Sequence, residues 1–297
     1  MSLSKTSGNV TATKERGLEA RTTRLSRLLR IVRAEMLKQH RTLFSSRLIY
    51  FSLFVWPALQ LTSAYYTFQP FVGAPTVAQH WPLVNNPHAI FLFFTTGMLG
   101  YTFFWSLVQS AWHFSFERFD GTLELLFLSP ANRFVLVLAN GAAALIQSVW
   151  LFFVFTVGII LIVGGLHVAN PVMFLVAFLG LLIPAIAWAT FLNSLFIFSR
   201  DSGFLYTILD DPMSFLAGVK IPLLAFPFWL RVVGLIFPLT TSLVVLRGAL
   251  LEGAGLAALW AQLLFLLGFS AVLMFLSALL LKRGEEHARR SGSLTLF

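Results

Sequence analysis

Six long apolar stretches constrain this chain more than any other feature of its sequence. A helix needs roughly 20 apolar residues to cross the hydrocarbon core of a bilayer, which is about 30 Å thick. The chain has 297 residues, of which 58% are hydrophobic and only 11% are charged. Because long continuous apolar runs disfavour a membrane β-barrel, we predict an all-α integral membrane protein with six transmembrane helices. The predicted spans are approximately 48–68, 89–112, 134–163, 171–198, 204–225 and 255–281.

The positive charges are concentrated at the two ends of the chain. Eleven of the 21 Lys and Arg residues fall in 1–47, and four fall in 282–297. Together with the two loops on the same side they give 18 positive residues against three on the other side, so the positive-inside rule predicts cytoplasmic termini. We therefore expect a multi-pass protein of the plasma membrane. Basic tails beside membrane spans meet anionic headgroups, so we do not expect nucleic-acid binding.

Two kinds of segment precede the first span. Residues 1–20 are rich in Ser, Thr, Gly and charge, which predicts a disordered cytoplasmic tail, and 282–297 form a second predicted cytoplasmic tail. In residues 21–47, apolar side chains recur at helical spacing against Arg and Lys. This pattern predicts an amphipathic helix on an anionic membrane surface, with a solvated arm as the alternative.

The loop after the second span, 113–133, is predicted to contain a short cytoplasmic helix. Its residues Thr122 to Leu128 follow Gly121, and Glu124 lies in the first turn, where the helix dipole favours an acid. Pro130 ends it. Such a helix is suited to docking in a groove of a soluble partner, and an ordinary interfacial helix is the alternative.

Two adjacent carboxylates fall within the fifth predicted span. Asp210 and Asp211 lie about 10 residues from Arg200, which is roughly 15 Å along a helix and places them near mid-membrane. Charge at that depth is costly and indicates a function, such as lining a substrate path. The alternative is that Asp211 caps a helix that restarts at Pro212. The predicted residues of the substrate path are Asp210, Asp211, Pro212 and Lys220.

An irregular apolar segment, 222–250, precedes the last span. Prolines and polar residues interrupt it, which predicts short re-entrant helices that enter the outer leaflet and return. An exposed extracellular loop is the alternative. The predicted residues of this gate are Pro222, Pro227, Trp229, Pro238, Thr240 and Arg247.

Several kinds of chemistry are missing from the sequence. The chain has no cysteine, which excludes disulfides and thiolate chemistry. No GxxxxGK[ST] loop is present, so we predict that the chain holds no ATP itself. No catalytic motif and no ligand-like spacing of histidines occurs, so we predict neither enzymatic activity, nor a metal site, nor a cofactor bound by this chain.

The order and spacing of these motifs resemble the ABC type-two exporter permeases, the transmembrane subunits of drug, polysaccharide and Nod-factor exporters. The resemblance covers about residues 25–282. It is carried by Glu117-Arg118, Gly121 to Glu124 and on to Pro130, Pro212, Phe215 to Gly218, Pro222, Pro227, Trp229-Leu230, and Pro238 to Thr240 and on to Arg247.

The resemblance implies a partner and a site on this chain for it. The partner is a separate ABC-type ATPase subunit that holds ATP and Mg²⁺, and a second permease completes the path, expected to be a second copy of this chain. The segment 222–250 would cap that path. The implied coupling helix consists of Gly121, Thr122, Leu123, Glu124 and Leu126, braced by Glu117 and Arg118.

The resemblance also implies export of an amphipathic substrate, a drug or antibiotic first and a lipid-linked glycan second. Asp210, Asp211 and Lys220 depart from the family's pattern, which argues against a purely lipidic substrate. The alternative function is a proton-coupled secondary transporter that uses Asp210 and Asp211.

Overall fold

The computed structural model of the protein describes residues 26, 29–38, 41, 47–71, 81, 85–119, 133–142, 145–163, 168, 170–196, 199 and 202–291. Within these ranges the chain forms helices and no strand, which confirms the predicted all-helical class for this part of it. Two 3-10 turns, Gln69–Phe71 and Leu223–Ala225, accompany the α-helices. The α-helices are α1 (Arg47–Phe68), α2 (Pro87–Phe119), α3 (Arg133–Gly141), α4 (Leu145–Val163), α5 (Val172–Phe196), α6 (Ser202–Leu216), α7 (Phe228–Gly234), α8 (Pro238–Leu250) and α9 (Leu256–Ser291).

Three of these helices are long and apolar enough to cross a membrane. They are Pro87–Ala111 within α2, the whole of α5, and Leu256–Gly284 within α9. A fourth crossing is added if α7 and α8, which are bent by 90° at a short break, form one span. The described residues therefore support a membrane-associated helical protein with three or four crossings, and the six predicted spans are not all confirmed.

Two of the predicted spans differ in the structure. The third, 134–163, is two helices, α3 and α4, with a turn residue after Gly141. The fifth, 204–225, is helical only as far as Leu216 in α6. Gly218 then adopts a φ of +81°, a left-handed conformation that favours glycine and ends a helix. At 15 residues, α6 is roughly 22 Å long, which is shorter than the hydrocarbon core.

The centre of the protein is formed by α2 and α5. Helix α5 packs against α2, α8 and α9, and α2 also contacts α1 and α4. Their facing side chains are fully buried, as for Phe103, Phe104, Leu181 and Leu192. Helix α9 is by contrast mostly exposed, and its outer face carries large apolar residues such as Trp260 and Phe275. Such a face is the kind that lipid or another protein covers.

Glycines set the spacing of α2 and of α5 from the elements packed against them. A Cβ atom at Gly97 would overlap the carbonyl oxygen of Val219, so only glycine lets the turn after α6 approach α2 this closely. Gly180 of α5 plays the same part for α8, where a Cβ would lie 2.9 Å from a methyl of Val245. Close approach of backbones at small residues is typical of helix packing in membranes.

Aromatic side chains hold α1 to the start of α2. Trp81, Phe93 and Phe94 are buried, and Phe68 packs edge-on against Trp81 with ring centroids 5.7 Å apart. Phe94 lies 5.3 Å from Phe68 by the same measure. This cluster fixes one end of α1 against α2, and the two helices separate further along to leave a cavity.

Before α1, residues 26, 29–38 and 41 are helical. Leu29 and Leu37 are exposed, whereas Glu35 is buried. A helix was predicted here as part of 21–47, and its placement on a membrane surface stays a prediction.

Candidate functional site

A cavity of about 500 Å³ lies where α1 and α2 separate. The turn after α6 closes one side of it. Helix α1 contributes Ser52, Trp56, Pro57 and Gln60; α2 contributes Met98, Tyr101, Thr102 and Trp105; and the end of α6 with its turn contributes Ser214, Val219 and Lys220. We call this space the Lys220 cavity. It combines aromatic, polar and charged side chains, which is the usual composition of a ligand site.

Local sequence accounts for the shape of the cavity. Pro57 sits inside α1, where it lacks the backbone N–H that the helix would use, so the helix is weakened beside the cavity. Gly218 turns the chain out of α6, and the close contact of Val219 with Gly97 anchors that turn on α2. Lys220, the next residue, is thereby held at the cavity wall.

Lys220 is the one charged residue among the described residues that line the cavity. Its Nζ donates a long hydrogen bond of 3.4 Å to Oε1 of Gln60 across the space. No described carboxylate lies within ion-pair distance of its ammonium group. Among the described residues, the positive charge is thus met by a neutral amide alone.

Asp210 lies behind the cavity wall and not on its surface. The hydroxyl of Tyr101, whose residue lines the cavity, donates to Oδ2 of Asp210 at 2.9 Å. Asp210 is only 6% exposed, and its Oδ1 has no partner among the described residues. Asp211, one residue on, is exposed. The two carboxylates therefore have different surroundings, and only Asp210 is connected to the cavity.

The proposed capping role of Asp211 is wrong. Helix α6 runs without a break from Ser202 to Leu216, with Pro212 in its interior. A cap would require a helix that begins at Pro212. The hydroxyl of Ser214 donates to the Asp211 carbonyl at 2.8 Å, within the continuous helix. Pro212 therefore interrupts one backbone hydrogen bond without ending the helix.

The predicted gate residues lie in and around α7 and α8. Pro222 and Pro227 precede the 3-10 turn and α7, and Pro238 begins α8. Trp229 is 65% exposed. Thr240 donates to the Gly234 carbonyl across the 90° bend and so fixes it. Both a re-entrant hairpin and a broken span have the shape of this bent pair. The role of the segment as a gate stays a prediction.

Arg247 ties the gate to α2. Its Nε donates to the Thr96 hydroxyl at 3.2 Å, and Nη2 donates to the Phe93 carbonyl at 3.0 Å. The guanidinium also lies 3.7 Å above the ring of Phe93, a cation–π geometry. No described carboxylate pairs with it. Arg247 thus holds α8 against the end of α2 that carries the aromatic cluster.

The predicted coupling residues lie at and beyond the end of α2. Gly121, Thr122, Leu123, Glu124 and Leu126 lie outside the described residues. Glu117 and Arg118 fall in the last turn of α2, but their side chains also lie outside the described part. Glu117 and Arg118 therefore belong to α2, a helix that also lines the cavity.

A buried polar cluster was missed by sequence reasoning. Asn193 of α5 donates from Nδ2 to Oδ1 of Asn140 at 2.8 Å, and Asn140 donates from Nδ2 to Oε1 of Glu35 at 3.3 Å. The hydroxyl of Ser110 donates to the Asn140 carbonyl at 3.1 Å. All four side chains are buried, and together they join the helical segment 29–38 to α2, α3 and α5. Two asparagines inside otherwise apolar predicted spans were the available signal.

Comparison with known proteins gives no family for this chain. No protein-family model matches it. No curated protein sequence matches it either.

Proposed function

We propose that this chain is the transmembrane permease subunit of an ABC exporter, which moves an amphipathic substrate out of the cytoplasm or the inner leaflet. The observation that supports this most is the Lys220 cavity, because it places aromatic, polar and charged side chains beside a helix long and apolar enough to cross a membrane. The motif order along the sequence supplies the choice of transporter class.

In this proposal the chain has six spans, cytoplasmic termini and a position in the plasma membrane. A separate ATPase docks on the loop after α2, and a second copy of the chain completes the path. Since the first cytoplasmic loop continues directly from α2, a movement of the docked ATPase is passed along α2 to Tyr101 and Trp105 in the cavity. The change between inward and outward states needs only a difference in preference for two packings, and no bond chemistry in this chain.

The test is co-purification followed by transport. The tagged chain is extracted from its native host in mild detergent, and mass spectrometry measures whether a soluble ABC-type ATPase is present in equal amount. The pair is then reconstituted, and ATP-driven transport is measured. Deleting Thr122 to Leu126 should abolish the transport that ATP hydrolysis drives while the fold remains intact. Glu286→Ala, at an exposed position of α9, is the matched control and should leave transport unchanged. Normal transport after the deletion would contradict the proposal.

A proton-coupled secondary transporter is the second candidate function. The observation in its favour is the buried carboxylate of Asp210, which has one oxygen without a partner among the described residues and a tyrosine hydroxyl on the other. Such a group inside a membrane bundle is typical of proton relays. In this case the chain alone would transport, a protonophore would stop it, and Asp210→Asn would abolish it whereas exposed Asp211→Asn would not.

A further inference from the structure

We propose that the Lys220 cavity binds an amphipathic anion, with the carboxylate or phosphate of the ligand against the Lys220 ammonium and its apolar body among the aromatic side chains. As a statement about the exported substrate class, this rests on the proposed function. Binding itself requires only this chain.

The first argument is the charge balance of the cavity. Lys220 is the only charged group on its described surface, and its one hydrogen bond there is a long contact to a neutral amide. A partly buried ammonium without a carboxylate is unfavourable, because the lost hydration is not replaced by an opposite charge. An anionic ligand supplies that charge.

The nearby carboxylate of Asp210 does not supply the negative charge that Lys220 lacks in the cavity. Asp210 is absent from the cavity surface, and the Tyr101 hydroxyl is directed at its carboxylate. Asp211 is exposed on α6 and also does not line the cavity. The charge that a ligand meets in the cavity is therefore positive.

The second argument is the shape and lining of the space. Its volume of about 500 Å³ is within the range of roughly 300–1,000 Å³ that small-molecule sites occupy. The rings of Trp56, Tyr101 and Trp105 cover one part of the wall, and the hydroxyls of Ser52, Thr102 and Ser214 add neutral hydrogen-bonding groups. A ligand with a flat or greasy body and one anionic end fits both parts.

Aromatic rings alone would favour the opposite charge. The faces of Trp and Tyr attract cations, so without Lys220 the same cavity would select an organic amine. The sign of the preferred ligand therefore depends on Lys220, and this dependence makes the proposal testable with a pair of probes that differ only in charge.

The experiment uses the full-length chain in nanodiscs of phosphatidylcholine. Binding of 2-naphthoate and of 2-naphthylmethylammonium, which share one ring system, is measured by equilibrium dialysis against empty nanodiscs. We expect naphthoate to bind and the ammonium probe to bind more weakly. Lys220→Met should weaken naphthoate binding by about tenfold or more, since it removes a charged hydrogen-bond donor. Lys220→Arg should keep most of the affinity.

Lys282→Met is the matched control, because it removes the same charge from an exposed position at the far end of α9 and should leave binding unchanged. Lys220→Gln, which keeps a polar side chain, replaces Lys220→Met if the latter does not elute as a folded protein. Stronger binding of the ammonium probe, no binding of naphthoate, or equal naphthoate binding by Lys220→Met and Lys282→Met would overturn the proposal.

Two sources of the anion remain to be distinguished, a lipid headgroup and a soluble acid. Nanodiscs that contain phosphatidylglycerol decide between them. If the anionic lipid competes with naphthoate, the site takes headgroups, and if affinity is unchanged, it takes soluble acids. Both results support the anion site. Because no ATPase is present, anion binding can hold when co-purification fails, and the reverse, so the two proposals are tested separately.

Discussion

At the scale of single residues, the Tyr101–Asp210 hydrogen bond joins the α2 wall of the cavity to α6. Tyr101→Phe would leave a buried carboxylate without its described hydrogen-bond donor, which costs about 1–3 kcal/mol. We expect this loss in the free energy of unfolding. A double-mutant cycle with Asp210→Asn measures how much of it belongs to the pair. Asp211→Asn, at an exposed neighbour, should change stability little, and a cycle without coupling would contradict the assignment.

Arg247 is the second residue whose substitution should lower the stability of the protein. Arg247→Met leaves the Phe93 carbonyl and the Thr96 hydroxyl without one of their partners, so we expect a loss of about 1–3 kcal/mol and a lower melting temperature in detergent. Arg283→Met removes the same charge from an exposed position of α9 and serves as the control. Equal melting temperatures for the two variants would show that Arg247 does not hold α8 on α2.

At the scale of helices, the contact of α2 with the turn after α6 depends on one glycine. Gly97→Ala would place a methyl group against the Val219 carbonyl, which must move, at a cost of about 1–3 kcal/mol. Gly268→Ala is the control, because no described atom outside the neighbouring backbone of α9 lies within 4 Å of the added methyl group, and α9 gains helix propensity. Thermal unfolding should separate the two alanine variants, with Gly97→Ala lower. A Gly97→Ala variant as stable as the wild type would contradict the packing described.

The helical segment 29–38 is held to the bundle by Glu35. Glu35→Leu removes the acceptor that Asn140 uses, so the segment should open more often, and trypsin should cleave at Arg30 and Arg33 about ten times faster. Glu35→Gln keeps an acceptor oxygen and should restore slow cleavage. If the two variants are cleaved at the same rate, the cluster does not anchor the segment.

At the scale of the whole molecule, orientation is directly measurable because the chain has no cysteine of its own. Glu252→Cys and Glu286→Cys place single thiols at exposed positions on the predicted outer and cytoplasmic sides. A membrane-impermeant maleimide should label the first in intact cells and the second only after permeabilisation. The opposite pattern would reverse the predicted topology.

The sequence indicated the helical class and the approximate positions of the crossings in α2, α5 and α9, because hydrophobic length decides these, whereas it did not indicate the break within 134–163. It did not indicate where α6 ends, since a positive φ at Gly218 overrides the apolar residues that follow. The cavity also could not be predicted, because it joins residues of α1, α2 and α6 that are distant in the chain. The sequence marks Lys220 as unusual for its place, but only the three-dimensional structure shows that no described carboxylate pairs with it.

Helix α9 continues beyond its apolar part as one unbroken helix. Its 36 residues make a rod of roughly 54 Å, and the apolar part, Leu256–Gly284, takes up 29 of them, so the last seven residues extend the same rod by roughly 10 Å. A change in the tilt of the apolar part therefore displaces the C-terminal tip of the helix further than it displaces the residues closer to the bundle. A fluorophore at Glu286, which is exposed and lies beyond the apolar part, would report such a tilt as a change in its distance to the membrane surface.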